Sequence, residues 1–315
     1  MTVFVVRRFL AMIPSAFLVL TVSFFLIHLI PGDPAAVMLG PNATPDQIKA
    51  LRQSLGLDQP VGWQYVKYVN RVLCGDLGLS IYFQEPVLTV VLAHAEASLL
   101  LGSLGILVVI GLGISAGVIS AVRPYTWWDR GFLFAALLGA SIPSFWLGLM
   151  LMLLFASHLK WLPTSGFASV FKTGGLLNLR YLVLPALTLG FVNSALVARV
   201  TRSTMLDVLR QPYIDVAWAK GLSGSVVVLK HALRNAAIPI VTVLGFIFAG
   251  LVATAVVTEN VFAIPGIGRL TVQSVLRRDY PMIQGIMLLV ALLYLLINFL
   301  TDLIYAVLDP RIRVS

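Results

Sequence analysis

Long apolar stretches alternate with polar segments of unequal length along the chain. Residues 9–30 contain no Asp, Glu, Lys or Arg and follow the pair Arg7-Arg8. A helix needs roughly 20 apolar residues to cross the hydrocarbon core of a bilayer, so this stretch predicts a first transmembrane helix. A signal peptide would carry an apolar core of only about 7–15 residues, so the helix is expected to be retained. The same pattern predicts further spans at residues 95–122, 131–156, 181–200, 237–258 and 284–308. Six spans put both ends of the chain on one side.

The polar segments differ in character. Residues 31–94 form the largest, punctuated by Pro31-Gly-Asp-Pro34 and Gly75-Asp-Leu-Gly78. Thr44 with Asp46 and Gln47 reads as a helix start, and Ile48, Leu51 and Leu55 keep a helical period until Gly56. A second amphipathic piece is expected at residues 63–73. The block is either a solvated cap or a surface for a partner. In the third span Pro143 cannot donate to the carbonyl of Gly139, which predicts a kink at Ser141-Ile-Pro-Ser144. Such a break either packs against neighbours or faces a water-filled cavity, which Ser141, Ser144 and Phe145 would line. Asn193 in the fourth span either lines a pathway or pins two helices together.

The longest internal polar stretch runs from Arg199 to Arg234. Within it, residues 213–222 predict a short helix with Ile214, Ala217, Gly221 and Leu222 on one face. Gly221 is the natural stop, because glycine takes the left-handed conformation without steric cost. A second arm at residues 225–234 completes a compact helix-turn-helix outside the bilayer.

Composition narrows the class. With 59% hydrophobic and 11% charged residues, and a mean hydropathy of +0.96, this is an all-α polytopic membrane protein. Soluble domains carry about 25% charged residues. The net charge of +9 fits basic loops on one side of a membrane rather than nucleic-acid binding. The amino end, the 123–130 turn, the 199–234 stretch and the tail hold 12 of the 22 basic residues, which puts both termini and that stretch in the cytoplasm. Cys74 stands alone, metal-ligand spacing is absent, and so is a phosphate-binding Gly-rich loop. No enzyme motif supports a membrane-embedded hydrolase or transferase. The span centres lack the ionisable residues that ion-coupled carriers use, which leaves a standalone channel or secondary carrier a distant alternative.

A family resemblance enters at the polar stretch. Asp215, Ala217, Gly221 and Leu233 fit the coupling motif of ABC-importer permeases, while Val216, His231 and Arg234 depart from it. His231-Ala-Leu-Arg-Asn-Ala236 followed by Pro239 resembles the dipeptide, oligopeptide, glutathione and nickel branch, as do Pro31-Gly-Asp-Pro34 and Leu55-Gly-Leu-Asp-Gln-Pro60. The resemblance implies a type I importer permease fold of six helices, with a long periplasmic segment in an N-terminal region (residues 1–94) and a core (residues 95–315) bearing a cytoplasmic coupling loop (199–236). It implies Tyr213, Asp215, Ala217, Lys220, Gly221 and Leu222 as the ATPase-coupling residues. It further implies a second homologous permease, two cytoplasmic ATPases that carry ATP and Mg, and a periplasmic substrate-binding protein, all at a bacterial inner membrane. The chain itself would bind no cofactor. Peptides are the expected cargo, with nickel chelates, glutathione or another small solute as alternatives.

Overall fold

Apolar length dictates the frame of the computed structural model, which describes residues 2–29, 33–40, 42–54 and 56–308. Among these residues the chain is helical: α1 (Thr2–His28), α2 (Pro34–Leu39), α3 (Pro45–Ser54), α4 (Val61–Leu73), α5 (Val87–Val122), α6 (Trp127–Ser141), α7 (Ser144–His158), α8 (Arg180–Leu209), α9 (Pro212–Ala219), α10 (residues 224–254), α11 (Val256–Val261), α12 (Ile267–Leu276) and α13 (Tyr280–Leu308). Five helices are long and apolar enough to span, and α6 with α7 makes a sixth if that bent pair is one span.

The central helix is α8, against which α5, α6 and α10 pack. Small residues set its approach to α5. A Cβ added at Gly117 would lie 2.5 Å from Thr201 Cβ, and one at Gly190 would lie 2.5 Å from Val108 Cβ. Glycine at these crossings lets two backbones come together where lipid gives no hydrophobic drive. Around them Leu101, Leu182, Leu184, Val197 and Ile264 form a core that excludes solvent.

The N-terminal segment is built from local caps. Thr44 and Gln47 bond each other's backbone N–H reciprocally, which fixes the start of α3 where the sequence places it. Gly56 follows with φ +68°. Helix α4 turns Tyr65 and Tyr68 onto α1, where Tyr68 donates to Ser23 at 3.2 Å and Tyr65 meets Thr21 at 2.8 Å. Gln284 of α13 donates to the Ser23 carbonyl, so α1, α4 and α13 form one joint. Pro31, Gly32, Pro41, Leu55 and the tail 309–315 lie outside the described residues.

Three expectations change. The second span begins at Val87, not at residue 95, because Pro86 opens a helix whose polar residues find partners, His94 at the Val90 carbonyl, Glu96 at Ser169 and Ser98 at Glu259. The kink at Pro143 is a break of 105°, with Ile142 extended between two helices. The second arm is not a separate helix. It is the first three turns of α10, because Val227 and Ala232 are fully buried against Ala236 and Ile240 and leave no boundary at Arg234.

Candidate functional site

The segment between α8 and α10 is a tight, exposed turn with a buried root. Gln211 is extended and Pro212 opens α9, its fixed φ suiting the first helical position. The end of α9 is closed by two backbone bonds, from Gly221 N–H to the Trp218 carbonyl (2.9 Å) and from Leu222 N–H to the Ala217 carbonyl (3.4 Å). That pairing is the Schellman motif, and it needs Gly221 at its observed φ of +74°. Ile214, Ala217 and Leu222 pack inward against Met205, Val227 and Ala232. The opposite face of α9 has no cover: Tyr213, Asp215, Val216, Trp218 and Lys220 are exposed. Trp218 also lies over Gly224, where an added Cβ would sit 3.4 Å from its ring. Both faces thus come from one short helix and the turn that ends it, residues 212–222.

The root is tied down by an ion pair that sequence reasoning missed. Arg202 of α8 donates two bonds to Asp129 of α6, 2.6 Å from Nε and 2.7 Å from Nη2. Asp129 also accepts the Tyr125 N–H at 2.9 Å and is almost wholly buried. The only signal in the sequence is a carboxylate in the first turn of a helix, beside Trp127-Trp128.

The proposed lining residues group at the break. Ser141, Ser144 and Phe145 flank Pro143, with Ser141 and Phe145 exposed. Ser141 donates to the Leu137 carbonyl and Asn193 to that of Leu189, so both satisfy their own helices and neither pins a second one. Asn193 lies on α8, which meets α6 where Gly139 faces Phe191.

At the other end of the bundle, three carboxylates clasp loops that the sequence leaves separate. Glu96 accepts from Ser169 and the Val170 N–H. Glu259 is fully buried and accepts from Ser98 at 2.6 Å and from the Arg269 N–H at 2.8 Å, at the start of α12. Asp279 accepts from Ser80 and the Tyr82 N–H and caps α13 through Met282. Burial pushes the Glu259 carboxyl above its ordinary range, against the downward pull of the Ser98 hydroxyl and the Arg269 and Gly268 amides. Among the described residues no group of three His, Cys, Asp or Glu side chains is placed to hold a metal ion.

Comparison with known proteins decides the class of this arrangement. Residues 113–314 match the family described as binding-protein-dependent transport system inner membrane component, and residues 1–98 match the N-terminal region of such membrane components. The chain belongs to that family. This permease is 39% identical to the dipeptide transport system permease protein DppB of Alkalihalophilus pseudofirmus, over 99% of this chain and 100% of the relative. It is 42% identical to the glutathione transport system permease protein GsiC of an Escherichia coli O6:H1 strain, over 98% of both chains. In fold the permease resembles a chain of the MetNI methionine ABC transporter in an inward-facing conformation, with TM-score 0.57 and 18% identity over 70% of this chain and 96% of that one. The permease is therefore a multi-pass inner-membrane transport subunit of the ABC importer class, with a type I importer fold.

Proposed function

We propose that this permease forms half of a transmembrane pathway for di- and oligopeptides, paired with a second homologous permease. Two cytoplasmic ATPases would drive it, and a periplasmic binding protein would supply the cargo. The α9 turn faces the cytoplasm in this reading, with both termini on the same side. The observation that carries the reading is the two-faced α9: Ile214 and Ala217 root it in the bundle while Tyr213, Asp215, Val216 and Lys220 stand exposed. An exposed apolar and charged face on a short, rigid helix is what a soluble partner needs to grip. ATP and Mg would sit on that partner, since the permease sequence carries no nucleotide loop. Closure of the ATPases would tilt the turn, and substrate would cross between the two permeases by alternating access, with Ser141, Ser144, Phe145 and Asn193 toward the path. The N-terminal region, residues 1–94, would serve the binding protein, and the core, residues 95–315, translocation.

The peptide cargo rests on the dipeptide relative. The glutathione relative supports a second reading, glutathione, itself a small peptide carrying free carboxylates. The test is affinity purification of the permease from its native membrane, with ATP hydrolysis assayed before and after adding binding protein loaded with a dipeptide or with glutathione. Co-purifying ATPases stimulated by one loaded binding protein establish the importer and its cargo. A chain that purifies alone and moves solute in liposomes without ATP overturns it.

A further inference from the structure

A cavity of about 720 Å³ lies away from both the Pro143 break and α9. It lies where the N-terminal segment meets the bundle, walled by α1, α4, the 76–84 loop and the start of α13. Small-molecule sites run from about 300 to 1,000 Å³, so the volume suits a compact solute. Its wall has an uneven set of polar groups. Lys67 and Arg71 stand one turn apart on α4, and among the described residues neither takes part in an ion pair or a side-chain hydrogen bond. The wall's one carboxylate, Asp76, already accepts the Gly78 N–H at 2.8 Å. Gln64 is held by His28 at 3.2 Å and donates to the Gln59 backbone carbonyl at 2.7 Å; Gln59 Oε1 is buried and has no donor among the described residues. Buried acceptors without a donor are rare and costly.

Two cations lacking an anion and, in the same cavity wall, an acceptor lacking a donor form the complement of a small molecule with a carboxylate at one end and an N–H group further along. We infer that this cavity is a binding site for the free C-terminal carboxylate and backbone amide of a di- or tripeptide. Lys67 and Arg71 take the carboxylate and Gln59 Oε1 takes the N–H. This inference rests on the peptide-import reading and adds a way-station on the single permease chain, apart from any path between two permeases. A guanidinium and an ammonium bind carboxylate through charge-assisted bonds, which makes the carboxylate the discriminating group.

The test is equilibrium binding to the purified full-length permease in nanodiscs, without binding protein or ATPases. The probes are L-alanyl-L-alanine and its C-terminal amide. The free dipeptide is expected to bind at least tenfold tighter than the amide. Lys67→Gln with Arg71→Gln is expected to abolish that preference. Because both side chains are exposed, Lys67→Arg with Arg71→Lys should retain it and exclude misfolding as the cause. Gln59→Leu is expected to weaken both probes severalfold. Absence of dipeptide binding, equal binding of the two probes, or a preference that survives the double Gln variant overturns the inference. Dipeptide uptake by cells carrying the complete system is measured in parallel. Uptake without binding to the permease defeats this inference alone, whereas absence of uptake defeats the import reading.

Discussion

Arg202 and Asp129 meet in a two-pronged ion pair, 2.6 and 2.7 Å long, that ties the helix leading into the α9 turn to the first turn of α6. It links the two loops at the α9 end of the bundle. Asp129 is 2% exposed, while the Arg202 side chain keeps 21% of its surface, so only one partner is fully desolvated. Removing one member of a fully buried pair costs about 3–5 kcal/mol, and the partial exposure of Arg202 places this pair near the lower figure. Arg202→Met is expected to lower the thermal unfolding midpoint of the purified permease, and Asp129→Leu combined with Arg202→Met to recover much of the loss. A double variant as unstable as the sum of the singles would show that the two residues do not act as a pair.

The two faces of α9 are expected to separate assembly from folding. Ile214→Ser removes a large apolar side chain and buries a hydroxyl without a partner, which costs about 2–5 kcal/mol for the truncation alone. It should reduce the amount of monodisperse permease. Tyr213→Ser with Val216→Ser lies on the open face and should leave that yield unchanged while co-purification of ATPase falls. Size-exclusion profiles and the ATPase-to-permease ratio read the two effects separately.

Gly221 tests the turn itself. With φ at +74°, a side chain costs roughly 1–2 kcal/mol of left-handed strain, and proline also removes the N–H that Trp218 accepts. Gly221→Ala is expected to weaken peptide-stimulated ATP hydrolysis and Gly221→Pro to abolish it or prevent assembly. Normal transport and normal stimulation in the proline variant would remove Gly221 from the coupling mechanism.

The Glu259 clasp is expected to be sensitive both to packing and to pH. A methyl group on Gly266 would overlap the Glu259 carboxylate, so Gly266→Ala should displace the start of α12 and destabilise the permease. Because burial raises the Glu259 carboxyl, the folded chain holds its proton to higher pH than the unfolded chain, whose value is about 4.5. Stability from this group is therefore full below that value and is lost as pH rises through the folded one. Glu259→Gln should flatten the slope of unfolding temperature against pH above 4.5. An identical slope in the variant assigns the pH dependence elsewhere.

Local signals were legible in the sequence and distant ones were not. Thr44 and Gln47 announce α3, and Gly221 announces the end of α9, because cap and turn residues act on backbone a few positions away. The transporter class was legible only through a resemblance, that of Asp215, Ala217, Gly221 and Leu233 to the coupling motif of ABC-importer permeases. The clasps could not be read. Glu259 and Ser98 are 161 residues apart, and each alone resembles an ordinary polar residue near a span end. The continuity of α10 was hidden because Lys230 and Arg234 mark residues 225–234 as a separate polar arm, whereas the buried Val227 and Ala232 decide the packing. Pro143 signals a bend and disfavours a helical Ile142, which is extended, but the 105° magnitude depends on how the two helices pack, which the local sequence does not encode.

The long run of α10 joins the α9 turn to the clasped loops, with a π-helical stretch at 227–232 and Pro239 along the way. At 1.5 Å per residue, residues 224–254 make a shaft of about 45 Å. One end abuts the Gly221 hinge, and the other stops a few residues short of Glu259. Between those ends, the π-helical turns at 227–232 and Pro239, which has no N–H to donate, are the places where a tilt at the α9 end would bend the shaft. A displacement at one mouth would therefore reach the other only as far as those two points stay stiff.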